Sequence, residues 1–172
     1  MKMEIKGIID ECIGDYKKTS MYIAFPKCTF KCDKENGCKL CQNSNLAQQP
    51  SYEITIENLV DRYINNPLTS AIVCGGLEPF DTPNSLYNFI LTLRQKGNLD
   101  DVVIYTGYTE QELNTRWVYK KLKKLPKIII KFGRFRPNQS PHYDKVLGVN
   151  LSSDNQYAKE VSNCGKQNEN KN

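Results

Sequence analysis

The chain has 172 residues, of which 39% are hydrophobic, with a formal net charge of +5, seven cysteines and one histidine. That length suits a single domain that buries a core without cross-links. No stretch approaches the ~18 apolar residues of a membrane span, and Met1–Lys6 lacks the apolar run of a signal peptide. The chain therefore reads as cytoplasmic, with no membrane partner and with thiols reduced unless a metal claims them.

Taken in order, the apolar run Met21–Phe25 stops at Pro26 and predicts a buried strand. Residues 55–66 place Ile56, Leu59, Val60, Tyr63 and Ile64 at helical spacing, with Thr55 set to cap and Pro67 following. Ala71–Cys74 predicts a second strand ending in Gly75-Gly76. Residues 83–96 predict a helix with Leu86, Phe89, Ile90 and Leu93 on one face. Val102–Tyr105 predicts a third strand ending at Thr106-Gly107. Thr109 and Glu112 form a capping box that opens a helix running to Leu125, before Pro126. Lys127–Lys131 predicts a fourth strand. The lysines at 120–124 mark a solvated helix face rather than a nucleic-acid footprint.

Strands alternating with helices predict an α/β fold with a mainly parallel sheet. An eight-stranded barrel typically needs about 250 residues, so a partial, incomplete βα barrel or an open sheet fits. Ligands of such sheets sit at the carboxyl ends of the strands. Here those ends carry a cysteine loop (26–47), the Gly-Gly-Leu-Glu-Pro turn at 75–79 and the Tyr-Thr-Gly-Tyr turn at 105–108. Residues 1–156 read as one domain and 157–172 as a polar, flexible tail. Cys164, in that tail, is assigned no role.

Four cysteines lie within fourteen residues: Cys28, Cys32, Cys38 and Cys41. Thiols this dense in a reducing compartment point to a metal. Four ligands suit a closed zinc site, whereas three leave one iron of an iron–sulfur cluster open.

Cys28-x-x-x-Cys32, followed by Leu40-Cys41-Gln42-Asn43, resembles the cluster loop of radical S-adenosylmethionine (SAM) enzymes. In that superfamily three cysteines occur as Cys-x3-Cys-x2-Cys after the first barrel strand. Here eight residues, Asp33 to Leu40, separate the second and third, and they include Cys38. This alignment implies Cys28, Cys32 and Cys41 as ligands of a [4Fe–4S] cluster. A competing alignment keeps Cys38-x-x-Cys41 as the short-spaced pair and releases Cys28 or Cys32. The segment Gly75-Gly76-Leu77-Glu78-Pro79 resembles the superfamily's Gly-Gly-Glu-Pro motif, with Leu77 either replacing the second glycine or inserted. Glu78 is the anchor for the SAM amino group on either alignment.

The segment Ile104–Thr109 is similar to one found in the activating enzymes of anaerobic (class III) ribonucleotide reductases. Gly133-Arg134-Phe135 resembles their Asp-Gly-x-Phe, with Lys131-Phe132 where an aspartate is expected. Ser152–Gln156 resembles their Gly-Ser-Ser-Asn-Gln, with Asp154 extra. The resemblance spans residues 20–156. It implies a radical SAM oxidoreductase in which the reduced cluster cleaves SAM to methionine and a 5′-deoxyadenosyl radical. That radical then abstracts a hydrogen from a backbone glycine of the reductase large subunit. Leu40 would pack near the adenine, Gly75, Gly76 and Glu78 would meet the methionine end, and Thr106 and Gly107 would border the same pocket. A flavodoxin or ferredoxin is the implied electron donor, and no side-chain general base is needed.

Two rival functions remain open at this stage. One is a radical SAM enzyme acting on another glycyl-radical enzyme or a peptide. The other is a zinc protein in which all four loop cysteines bind the ion and the lysine-rich helix contacts nucleic acid or a partner. His142 reads as a surface residue in a polar loop, and Trp117 as core or interface. Cys12 and Cys74 read as small buried side chains. The acidic cluster Asp10, Glu11 and Asp15 has no assigned role.

Overall fold

The computed structural model describes residues 1–162. The chain opens with strands β1 (Lys2–Ile5), β2 (Gly7–Cys12) and β3 (Ser20–Phe25), followed by the short helices α1 (Lys31–Asn36) and α2 (Ser44–Gln48). Strand β4 (Tyr52–Thr55) leads into α3 (Ile56–Ile64), then β5 (Ala71–Gly76), α4 (Pro83–Gln95) and β6 (Asp101–Tyr105). Helices α5 (Glu110–Leu113) and α6 (Trp117–Leu122) precede β7 (Ile128–Phe132), β8 (His142–Asp144), β9 (Val149–Leu151) and β10 (Tyr157–Glu160).

The main sheet has the order β10-β7-β6-β5-β3-β2. Its centre is parallel: β3 pairs with β5, β5 with β6 and β6 with β7. Both edges, β2 and β10, pair antiparallel. The sheet is open, with no pairing between β2 and β10 among the described residues, so the fold is α/β with a mainly parallel, unclosed sheet.

The two faces of this sheet bury different partners. Side chains alternate along a strand, so Ile72, Cys74, Val102, Ile104, Ile128 and Ile130 meet the helices, among them Leu59 and Val60 of α3 and Phe89 and Ile90 of α4. Val73, Val103 and Ile129 face the other way and are covered by Tyr16, Leu147 and Leu151. Because both faces are buried, the strands read as continuous apolar runs. Each fully buried aliphatic side chain stabilises the fold by ~1.5–3 kcal/mol.

Most helix boundaries agree with the sequence reading. The Thr55 side chain accepts from Asn58 N–H as the cap of α3, and the Thr109–Glu112 capping box is formed in both directions. The helix expected to run from Thr109 to Leu125 is instead broken in two. Arg116 is extended (ψ 131°), with its guanidinium bonded to the Phe80 carbonyl at 2.9 Å and stacked 4.0 Å from the Tyr108 ring centre. Those tertiary contacts outweigh the modest helical propensity of Asn114 and Thr115.

Two further expectations are corrected. The chain does not leave the fold at Tyr157, because Tyr157–Glu160 pair with β7 and Tyr157 stacks on Phe132 at 5.3 Å. Cys164 lies outside the described residues. His142 begins β8 and is half-buried rather than a surface loop residue. The acidic N-terminal residues tie β2 to α3: Asp10 chelates the Arg62 guanidinium at 2.6 and 2.7 Å, and Glu11 accepts from Asn66.

Candidate metal centre

The carboxyl ends of β3, β5, β6 and β7 border one cavity of about 320 Å³. Its wall includes Cys28, Cys32 and Cys41 from the loop after β3, Gly76 and Glu78 after β5, and Thr106 and Gly107 after β6. Those residues, proposed separately from sequence, meet at one place. Cys38 is exposed and does not line the cavity. Leu40 and Gly75 do not line it either. Gly75 lies under Tyr22, whose hydroxyl accepts from Gly76 N–H.

The cysteine loop is held by polar contacts, since α1 and α2 bury no residue. Phe30 takes a left-handed conformation (φ 51°), and its N–H points at the Cys28 sulfur, 3.2 Å away. Non-glycine residues rarely adopt that φ. Helix α1 then carries Cys32 and ends at Gly37, whose φ of 67° suits a glycine C-cap. The chain returns because the Asp33 carboxylate accepts from the N–H groups of both Leu40 and Cys41, at 2.9 and 2.8 Å. The inserted residues thus form a closed loop, and Cys41 comes back beside Cys32 despite the insertion. Asn43 then donates to the Gly76 carbonyl at 2.6 Å, fastening the cysteine loop to the glycine turn.

Gly76 has φ 82°, and a Cβ there would lie 2.8 Å from Ala24 Cα and 2.9 Å from Phe25 N. Only glycine fits this approach between neighbouring strands. Leu77 is not among the residues with positive φ, so the motif's strained backbone falls on Gly76 alone. Glu78 follows, 4% exposed, and accepts from Thr106 Oγ1 and Gly107 N–H at 2.8 Å and from Phe80 N–H at 3.1 Å. Burial nevertheless pushes its carboxyl up to about 7, outweighing those donors. Thr106 and Gly107 therefore fix the carboxylate in place.

The rim beyond Glu78 is braced by charge. Tyr108 donates to Asp81 at 2.6 Å, and Asp81 also accepts from Thr29 N–H. Arg134, after β7, grips Glu112 through two bonds of 3.0 and 2.7 Å. That guanidinium, first among the causes, holds the Glu112 carboxyl down to about 2. Asp33, Arg134 and Lys131 were not singled out as site residues from sequence. The signal for the last two was their place at the carboxyl end of a parallel strand.

Burial pushes the Cys28 thiol up to about 12, with Glu78 and Asp81 adding to it, and raises that of Cys32, to which Cys41 contributes. Metal binding at these groups therefore releases protons. The donor set fits a [4Fe–4S] cluster: three thiols share one cavity wall, and thiolates are its ligands. No three Cys, His, Asp or Glu side chains among the described residues are gathered closely enough to share one ion. Cys12, half-buried, donates to Asp15 at 3.1 Å, and Cys74 is fully buried in the core.

No curated protein matches the chain. A family model described as a 4Fe-4S single cluster domain matches residues 15–157, from the loop before β3 to the start of β10. Spanning the cysteine loop and every strand end on the cavity, that match shows the chain to be a member of the 4Fe-4S single cluster domain family.

Proposed function

We propose that the chain is a radical SAM activase that installs a glycyl radical on an anaerobic ribonucleotide reductase. The observation that carries the reading is the convergence of Cys28, Cys32, Cys41, Gly76, Glu78, Thr106 and Gly107 on one cavity. Cys28, Cys32 and Cys41 would hold the cluster and leave one iron without a protein ligand. Glu78, oriented by Thr106 and Gly107, offers a carboxylate to the amino group of SAM. Gly76 lets the backbone approach closely, and Asn43 keeps the two loops in register. When bound, the cluster and SAM supply one-electron reductive cleavage of the sulfonium, leading to hydrogen abstraction from a glycine of the partner. The electron would come from a flavodoxin or ferredoxin, and the reaction would take place in the cytoplasm.

The test is anaerobic reconstitution, iron and sulfide analysis, then dithionite reduction with SAM. Four irons per chain and release of 5′-deoxyadenosine support the reading. A colourless protein holding one zinc and releasing no 5′-deoxyadenosine overturns it. A glycyl electron paramagnetic resonance signal on added reductase identifies the substrate. Cleavage of SAM without that signal would assign the activity to another glycyl-radical enzyme or a peptide.

A further inference from the structure

Cys28 belongs to two concavities. Besides the cavity described above it lines a second groove, of about 500 Å³, whose apolar wall is Pro26, Phe30, Ala47 and Leu77. Glu78, Thr106 and Gly107 do not reach this groove. Backbone bonds fix its base: Leu77 N–H donates to the Phe25 carbonyl at 3.3 Å and Glu78 N–H to the Lys27 carbonyl at 2.8 Å. Phe30, held in its left-handed conformation beside the Cys28 sulfur, forms part of the wall.

The rim of the groove is positive. Lys27 lines it, and Lys6 donates to the carbonyls of Ala47 and Gln49. Of the lysines in the cysteine loop only Lys31 has a carboxylate partner among the described residues, Glu112 at 3.4 Å. Lys27, Lys34 and Lys39 are exposed and have none. The nearby acids are already engaged: Asp33 by Leu40 and Cys41, Glu35 by Arg134, and Asp81 by Thr29 and Tyr108.

An apolar centre with a charged rim is the anatomy of a protein interface. Redox encounters are among the smallest of these, and charge steers them. A partner seated here is separated by one side chain, Cys28, from what the inner cavity holds. The apolar wall suits the dimethylbenzene edge of a flavin, and the unpaired lysines suit an acidic protein around it. We propose that this groove is the docking site of an acidic flavoprotein electron donor, seated with its flavin edge against Phe30 and Leu77. One electron passes at each encounter. The anionic flavin hydroquinone becomes the neutral semiquinone and the cluster gains the electron, with no bond made or broken and no proton transferred. The inference rests on the reductive reading given above and adds to it the surface and the kind of donor.

The experiment follows anaerobic reduction of the cluster-loaded protein by the hydroquinone of an acidic flavodoxin, without SAM, in parallel with reduction by dithionite. Wild type should be reduced at a second-order rate that falls as salt is raised. Lys27→Glu should lower that rate about fivefold or more at low salt, with the difference closing at high salt. Ala47→Trp fills the groove without changing its charge and should lower the rate by about the same factor at every salt concentration. Both positions lie outside the core, and equal iron content and melting temperature in the three chains check their folding. Dithionite needs no docking surface and should reduce all three equally. An unchanged rate with flavodoxin in either variant overturns the inference but leaves the SAM reading standing. Slowing by the same factor with dithionite overturns it too, as the sign of a disturbed cluster. A wild type reduced by an acidic ferredoxin and not by flavodoxin overturns the assignment of a flavin. A protein that retains no iron overturns both readings.

Discussion

Replacing Asp33 by alanine removes the acceptor that closes the cysteine loop. Its carboxylate takes two backbone N–H groups, from Leu40 and Cys41, at 2.9 and 2.8 Å. Hydrogen bonds to a charged group contribute ~1.5–3 kcal/mol each when buried. Asp33 is half-exposed and its helix buries nothing, so solvent reduces the pair to about 2 kcal/mol in total. Because α1 lies outside the core, that loss falls on loop closure and not on the global fold. An energy of about 2 kcal/mol corresponds to roughly a 30-fold weaker hold on the cluster. The assay is iron retention by anaerobically reconstituted protein against increasing ferrous chelator. Asp33→Ala should release iron at a correspondingly lower chelator concentration, with the melting temperature of the metal-free protein unchanged. Asp33→Asn, whose amide oxygen still accepts, should recover part of the difference. Iron retention equal to wild type in Asp33→Ala would refute the reasoning, and so would an equal loss in the alanine and asparagine variants.

Cys38→Ala should retain the cluster and Cys28→Ala should lose it, measured by iron content and the charge-transfer absorbance; the reverse pattern would restore the competing ligand alignment. Gly76→Ala forces a Cβ to 2.8 Å from Ala24 Cα at a φ of 82°. It should destabilise the protein by ~2 kcal/mol or more, lowering the thermal midpoint by several degrees. The Glu112 carboxyl is held down to about 2 by Arg134, below its ordinary 4.5. A depressed acid contributes stability that is present above pH 4.5 and lost as pH falls toward 2. Glu112→Gln should therefore be less stable than wild type at pH 6, and the two should converge in acid unfolding between pH 4.5 and 2. A difference that stays constant across that window would show that the ion pair is not its source.

The parallel centre of the sheet was legible because each strand is a short apolar run ending in a turn signal. Helix α3 was legible from its spacing and its cap, and α4 from its spacing. Strands β1, β2 and β4 were not, since Lys2–Ile5 and Tyr52–Thr55 are short, half-polar segments that become strands only by pairing with each other. The break at Arg116 was equally hidden, because its cause is Phe80 and Tyr108, 36 and 8 positions away.

What the sequence determined by itself was local chemistry. It carried the thiols, the Gly-Gly turn with Glu78, and the strand that delivers each of them to one rim. Only the tertiary structure decided which groups share a cavity. Asp33 brings Cys41 back to Cys32 and leaves Cys38 outside, and Lys131 faces the cavity because β7 pairs with β6 in one register. The reason is physical: spacing along a chain limits which residues can approach, but a few hydrogen bonds and a strand register select among the closures it allows.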